Sequence, residues 1–288
     1  MSPGEAAGLL VEALPYIRQF AGKSIVVKLG GAAIGRESDL ALAQDVLLLR
    51  SVGVRCVLVH GGGPQVDAML RRVGKDPEFK DGLRVTDAET LEIVRMVLVG
   101  KINRDLVATI NRQAGDEPVA VGVSGEDAGL LTVRPADSAL GFVGNVARVR
   151  AELIHLLVDD GLTPVISTIG ANAEGQPYNV NADEAARAIA VEMGAEKIVY
   201  LTAAPGLLEN PADPGTLVPR LTAAELRARI EHESVSNGML PKLRACADAV
   251  EQGVGFAHII DGRVAHALLV ELLTEHGVGT MIRQEKSW

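Results

Sequence analysis

Large aromatic side chains are almost missing from this chain: one Trp, three Tyr and four Phe in 288 residues. Its core must therefore be built from Val, Ile, Leu and Ala, and a hydrophobic content of 48% is ample for one large or two small domains. Cysteine is equally scarce. Cys56 sits in an apolar strand pattern and Cys246 in a helical one, and the six histidines do not cluster with them. That excludes a disulfide framework and leaves no paired metal-ligand spacing, so buried reduced thiols and no resident metal are expected. Long apolar runs are absent too. No segment approaches the roughly 18 to 20 residues a membrane helix needs, and Glu5, Glu12 and Arg18 interrupt the first twenty residues, so no secretory signal is expected. Positive charge is in deficit, with 28 Lys and Arg against 37 Asp and Glu, a net charge of −9 and a pI of about 5.2. Phosphate-backbone binding wants a basic face, so a nucleic-acid partner is disfavoured. A small anion is not, since it needs only local positive charge. The expectation is a soluble cytoplasmic protein with no membrane or nucleic-acid partner.

What is present centres on Ile25-Val26-Val27-Lys28-Leu29-Gly30-Gly31. The β-branched run suits a strand covered on both faces. A lysine at the carboxyl end of such a strand, beside glycines that let backbone approach a ligand, suits an anion such as phosphate. A snorkelling lysine beside an ordinary turn fits this stretch about as well. A second strand running into glycines, Cys56-Val57-Leu58-Val59-His60-Gly61-Gly62-Gly63-Pro64, moves the balance toward phosphate. A Walker A loop is excluded, because Arg36 and Glu37 stand where Lys and Ser or Thr belong. Neither glycine cluster gives the dinucleotide-binding fingerprint, which disfavours a dehydrogenase. What remains is a phosphoryl-transfer site assembled from lysines and backbone N–H groups at strand ends. Lys242 follows Pro241 in a first helical turn, where the dipole repels cations, so it makes most sense serving a bound anion. Asp183 lies in another first turn, either balancing the dipole or orienting nearby lysines or a metal. Arg84 is well placed to fork onto a carboxylate, although a solvated surface arginine is the simpler reading.

Strand, glycines and helix occur twice in the first 75 residues, which signals an α/β fold with a parallel sheet. An amphipathic helix over residues 6–20 precedes the first strand as an arm, packing on its own domain or on a partner chain. One helix is expected from the cap at Thr86 or Asp87 to about Asn111, and a hairpin from residues 130–134 and 142–149. A loop over 169–180 marks the expected domain boundary. A strand at 278–282 is expected at the sheet edge.

In order along the chain, Val27-Lys28-Leu29-Gly30-Gly31, His60-Gly61-Gly62-Gly63-Pro64, Gly82-Leu83-Arg84-Val85-Thr86-Asp87, Tyr178-Asn179-Val180-Asn181-Ala182-Asp183, Gly238-Met239-Leu240-Pro241-Lys242 and His258-Ile259-Ile260-Asp261-Gly262-Arg263 resemble the amino acid kinase family. The resemblance covers nearly the whole chain and is to the branch that phosphorylates the side-chain carboxylate of N-acetyl-L-glutamate with ATP, in arginine synthesis. It implies an open three-layer α/β/α sandwich with a mainly parallel central sheet. It also implies an arm over residues 1–22, an acyl-amino-acid-binding and dimerisation lobe over 23–170, and a nucleotide lobe over 171–288. Lys28 and Lys242 would stabilise the moving phosphoryl group, with Asp183 orienting both. Gly30, Gly31 and Gly61 would line the phosphate path; Gly62, Gly63, Arg84 and Asn179 would hold the acyl amino acid. Thr202, Gly206, Gly238 and Met239 would meet the nucleotide, and magnesium would ride on the ATP phosphates. The arm is similar to that of an arginine-inhibited subset that forms hexamers as trimers of dimers. By that likeness Lys197, His258, Glu271 and Gly279 would bind arginine, and a PII-type signal protein is a further candidate partner. The chain departs from the family pattern at Ala203, where an Asp is usual, at Asn237, at Glu126 in place of a lysine, and at Ser167-Thr168. A kinase for another acylated amino acid, and a non-catalytic arginine-sensing paralogue, stay open as alternatives at this point.

Overall fold

The computed structural model describes residues 2–232, 239–275 and 277–285. An eight-stranded sheet runs through the molecule. Its centre is β1 (Ser24–Leu29), with β2 (Arg55–His60) on one side and β11 (Lys197–Thr202) on the other. Outward from β2 lie β8 (Thr163–Ser167) and then β5 (Ala120–Ser124). Outward from β11 lie β13 (Phe256–Asp261), β14 (Thr280–Arg283) and β12 (Arg220–Thr222). Every neighbouring pair is parallel except β13 with β14.

Successive strand residues face opposite sides, so β1 feeds two cores. Ile25, Val27 and Leu29 pack with Leu42, Val46 and Leu49 of α2 (Arg36–Ser51), Leu106 and Ile110 of α5 (Asn103–Ala114), and Leu268 and Leu272 of α10 (Ala267–Leu273). Val26 faces the other way. There it joins Ile154 of α6 (Ala151–Asp159), Ile189 of α7 (Ala182–Glu192), Leu226 of α8 (Ala223–His232), and Leu243 and Cys246 of α9 (Leu240–Glu251). Helices on both faces of a mainly parallel sheet make the expected α/β/α sandwich. Both cysteines are free and buried, and burial pushes the Cys56 thiol up to about 12. No described helix is long and apolar enough to cross a membrane.

Three expectations change. The segment 169–180 is not a loop: β9 (Ile169–Ala171) and β10 (Pro177–Val180) pair with each other and with the hairpin of β6 (Leu131–Pro135) and β7 (Val143–Val149), closing a small four-stranded barrel. Its Gly, Asn and Pro composition reflects the tight turn between two very short strands, where Asn172 accepts from Glu174 and Gln176 backbone N–H groups. The last strand, β14, is interior, because the three-residue β12 pairs outside it; so short a strand carries no alternation to read. Finally, Asp87 caps the expected long helix through Thr90 N–H, but only α4 (Ala88–Arg95) and α5 are α-helical. Met96–Ile102 between them is wound as a π-helix, a form frequently found at functional sites.

At the amino end, α1 (Pro3–Phe20) settles the question of its packing in two halves. Phe20 is buried, and Ala13, Tyr16 and Ile17 lie against the core, while Leu9, Leu10, Val11 and Leu14 are exposed.

Candidate active site

Because β1, β2, β8, β11 and β13 are parallel, their carboxyl ends share one rim, and the α7 and α9 amino termini open beside it. Lys28 is the last-but-one residue of β1, on the Val26 face, which α7 covers. The helix approaches closely there because Ala185 and Ala186 bring no bulk to its sheet-facing side, and both are fully buried. That closeness sets Asp183, in the first turn of α7, against Lys28 at 2.7 Å. The turn itself is fixed by Asn181, whose side chain accepts from the N–H groups of Asp183 and Glu184. Lys242, in the first turn of α9 after Pro241, reaches the same carboxylate at 2.9 Å and 3.0 Å. Its ammonium lies 5.6 Å from the Tyr200 ring centre.

One half-buried carboxylate thus holds two buried lysines. Burial would raise Asp183, but the two ammonium groups overrule it and hold the carboxyl at about 2. Burial dominates at Lys28 and, with Lys242 adding repulsion, lowers its pKa despite Asp183. The triad carries a net charge of +1 out of bulk water, which favours an anion within reach.

The space in front of it is a cavity of about 220 Å³ lined by Lys28, Gly31, Gly61, Gly62, Gly63, Arg84, Asn179 and Asp183, among others. Two of these glycines are a steric necessity. A Cβ on Gly31 would stand 2.5 Å from Pro64 Cδ, and one on Gly62 would stand 2.2 Å from Ile102 Cδ1. At the far end, Arg84 is buried on β4 (Leu83–Arg84), and its guanidinium lies 4.7 Å from the Phe79 ring centre. Its Nη2 donates to Gly63 O at 3.3 Å. Nη1 forms an ion pair with Asp67 Oδ1 at 2.6 Å in an approach not aligned as a hydrogen bond, so a substrate carboxylate here would share the guanidinium with Asp67. Asn179 donates to Thr86 Oγ1 at 3.3 Å, and Thr86 in turn donates to Arg84 O at 3.0 Å. The fully buried Thr86 therefore ties both substrate candidates to one another. With Asp67, Phe79 and Thr168 it belongs to the surroundings that sequence reasoning missed; only the short Arg84–Thr86 spacing hinted at it.

The expected site residues separate into groups. Lys28, Asp183 and Lys242 converge, as do the glycines with Arg84 and Asn179; Gly30 sits just behind, its N–H donating to Leu201 O. Thr202 ends β11 on the same rim, with its Oγ1 accepting from Ala204 N–H. Met239 precedes α9 and packs on the core. Gly206 lies against Thr280, where a Cβ would come within 2.5 Å of its Oγ1, so glycine there serves packing. Gly238 and Asn237 lie outside the described residues. Glu126 pairs with Arg95 at 2.6 Å, away from the cavity lining. Among the described residues no three His, Cys, Asp or Glu gather to hold a metal ion.

A second, larger cavity of about 770 Å³ opens between the end of α1 and β13, α10 and β14, and is lined by Lys197, His258, Glu271 and Gly279. His258 Nδ1 is 2.6 Å from Glu271 Oε1, which makes Nδ1 the protonated nitrogen, and Lys197 Nζ donates to Nε2 at 3.3 Å. Burial, helped by Lys197, keeps the imidazole neutral with a pKa near 4.

Geometry of this kind, two lysines and glycine N–H groups around a phosphate-sized gap and no P-loop, defines a phosphotransferase site. The amino acid kinase family model matches residues 23–261; the chain belongs to that family. Among curated relatives it is similar over nearly full length to acetylglutamate kinases: 47% identical to that of Syntrophomonas wolfei, covering 99% of both chains, and 47% to that of Nostoc sp., covering 95% of this chain and 92% of that one. Among solved structures, N-acetylglutamate synthase from Neisseria gonorrhoeae, complexed with coenzyme A and N-acetyl-glutamate, superposes with a TM-score of 0.86 at 29% identity. The match covers 97% of this chain but only 63% of the synthase. Carbamate kinase from Giardia lamblia, at 20% identity and TM-score 0.70, shares the fold, with 92% of this chain and 99% of that one covered.

Proposed function

We propose that the protein transfers the γ-phosphoryl group of MgATP to the side-chain carboxylate of N-acetyl-L-glutamate, giving N-acetyl-L-glutamyl 5-phosphate for arginine biosynthesis. The observation that carries this reading is the Lys28–Asp183–Lys242 triad facing a cavity whose other end presents the buried Arg84 guanidinium. Arg84 takes the α-carboxylate and Asn179 an amide oxygen, which points the side-chain carboxylate toward Gly31, Gly62 and the lysines. Both the attacking carboxylate and the moving phosphoryl group are anionic, so the cations act mainly by cancelling their repulsion and by stabilising charge on the phosphoryl oxygens. Full-length similarity to acetylglutamate kinases supports the choice of acceptor. Trapping the acyl phosphate as a hydroxamate during ATP turnover tests it. Product with N-acetyl-L-glutamate is expected, and ATP turnover only with some other acylated amino acid would move the assignment.

The same reading gives residues 1–22 as an arm, the following lobe to the acyl substrate and the last to nucleotide. Residue 170, the expected boundary, falls inside the β9–β10 hairpin, and a break after Val180 would keep the small barrel whole. Arginine is the inhibitor for the larger cavity: Lys197 suits a carboxylate, and Glu271 and Glu275 suit a guanidinium. The bare Leu10 and Val11, 75% and 70% exposed on α1, support arm-mediated assembly into a hexamer as a trimer of dimers. Removing residues 1–12 leaves Ala13–Phe20 on the core. It is expected to reduce the mass in solution to that of a dimer; an unchanged mass would refute the role of the arm.

A further inference from the structure

His60 ends β2 fully buried, on the face opposite Lys28, and phosphoryl chemistry does not use its side chain directly. Its hydrogen bonds nonetheless lead to the site. Nδ1 lies 2.9 Å from Gly61 O and must carry the proton to donate there. Nε2 is then an acceptor and takes a hydrogen from Asn103 Nδ2 at 3.2 Å. The Asn103 amide has only one possible orientation, since Nδ2 also donates to Val165 O at 2.7 Å and Oδ1 accepts from Arg104 Nη2. Asn103 is itself fully buried and stands at the residue where the π-wound segment 96–102 hands over to α5. That segment also puts Leu98 and Ile102 against Gly62. Every donor and acceptor from Arg104 to Gly61 is therefore matched, and only for a neutral imidazole; burial holds His60 neutral, near 4.

In a trans peptide the C=O and the following N–H point to opposite sides. The Gly61 carbonyl is drawn to the His60 face of the sheet, so the Gly62 N–H of the same peptide is turned to the other face, where Lys28, Asp183 and the cavity lie. We propose that His60, clamped by Asn103, is a positioning residue that fixes the Gly61–Gly62 peptide so that the Gly62 N–H is aimed at the transferring phosphoryl group. The inference rests on the phosphotransferase reading of the same cavity and adds to it why an imidazole precedes the glycine run. A flexible glycine pair would otherwise rotate this peptide freely, and a donor that must reorient loses its value as preorganised stabilisation.

The test compares His60→Asn, whose amide N–H can stand where Nδ1–H does, with His60→Gln, whose longer side chain carries its N–H past Gly61 O. Asn103→Ala is a third variant that leaves His60 in place without its clamp. Two readouts are taken. With MgATP and N-acetyl-L-glutamate, His60→Gln is expected to lower kcat by about 10- to 100-fold with little change in either KM, and His60→Asn to recover most of it. In glycine-labelled protein, the Gly62 amide resonance is expected to shift on adding MgADP with aluminium fluoride in wild type and His60→Asn, and to shift much less in His60→Gln and Asn103→Ala. Equal kcat losses in His60→Asn and His60→Gln, tracking their thermal stability, would show a packing role and overturn the proposal. So would an unaltered Gly62 response in His60→Gln. Wild-type protein that makes no hydroxamate product yet keeps the His60-dependent Gly62 response would sink the choice of acceptor and leave the positioning role standing.

Discussion

Lys242→Ala is expected to abolish most phosphoryl transfer, by about 10³-fold or more in kcat, while the protein stays folded. Loss of a single preorganised donor to a transition-state oxyanion typically costs about 10²- to 10³-fold, and loss of a cation at a phosphoryl group about 10³- to 10⁵-fold. Lys242 is both. The effect on stability is small for an electrostatic reason. The triad carries two cations and one anion, and removing Lys242 leaves Lys28 and Asp183 as a matched pair 2.7 Å apart. What is lost is the burial of the side-chain stem and the ammonium's place over the Tyr200 ring, on the order of 1–2 kcal/mol. The measurements are hydroxamate-trapped turnover and urea denaturation on the same preparation. Turnover within threefold of wild type would remove Lys242 from the chemistry. Collapse of the fold would mean that the ammonium is needed to neutralise Asp183 even without substrate.

The parts of this triad were legible in the sequence to different degrees. Lys28 was only half visible, since a snorkelling lysine fitted its own stretch about as well and it took the second strand running into glycines to move the balance. Lys242 was visible because it opposes a helix dipole. Asp183 was not separable from a routine first-turn acid, and its role follows only from the small Ala185 and Ala186 that let α7 close on β1. Periodicity revealed the long elements, and the arm helix α1 and the hairpin strands β6 and β7 fall close to where it put them. It failed on β9, β10 and β12, strands of three or four residues that are too short to show an alternation. It failed also on the π-wound turn inside 88–114, where one altered hydrogen-bond ring leaves the apolar pattern intact but swings Asn103 under His60. Arg84 shows the same limit at a single residue. Composition favoured a solvated surface arginine, yet the chain buries it, because Phe79 on β3 (Phe79–Lys80) and Asp67 on α3 (Gly63–Arg72) come in from either side.

Asp183→Asn removes the one anion that makes two buried ammonium groups tolerable, and is expected to cost more stability than any other change in the site, about 3–5 kcal/mol at neutral pH. The cost should depend on pH in a definite direction. In the wild type the carboxyl is held at about 2, below its ordinary 3.8. Its contribution is therefore complete above pH 4 and is lost only as pH falls toward 2. In the variant, Lys28 keeps its burial and the repulsion of Lys242 but loses the carboxylate that offset them, so its already lowered pKa falls further. Between that value and the 10.5 of the unfolded chain, the unfolded state binds more protons, and stability rises with pH. Wild-type Lys28 is lowered too, so wild-type stability also rises with pH, but the variant's rise begins at a lower pH because its Lys28 pKa lies lower still. The deficit of Asp183→Asn should thus shrink as pH climbs from 7 to 9.5, and shrink again at pH 7 when a polyanion such as tripolyphosphate fills the site. Urea midpoints at the two pH values decide the matter. A deficit that is the same at both would mean that the lysines are not charge-coupled through Asp183, and that the site holds its phosphoryl group by backbone N–H groups alone.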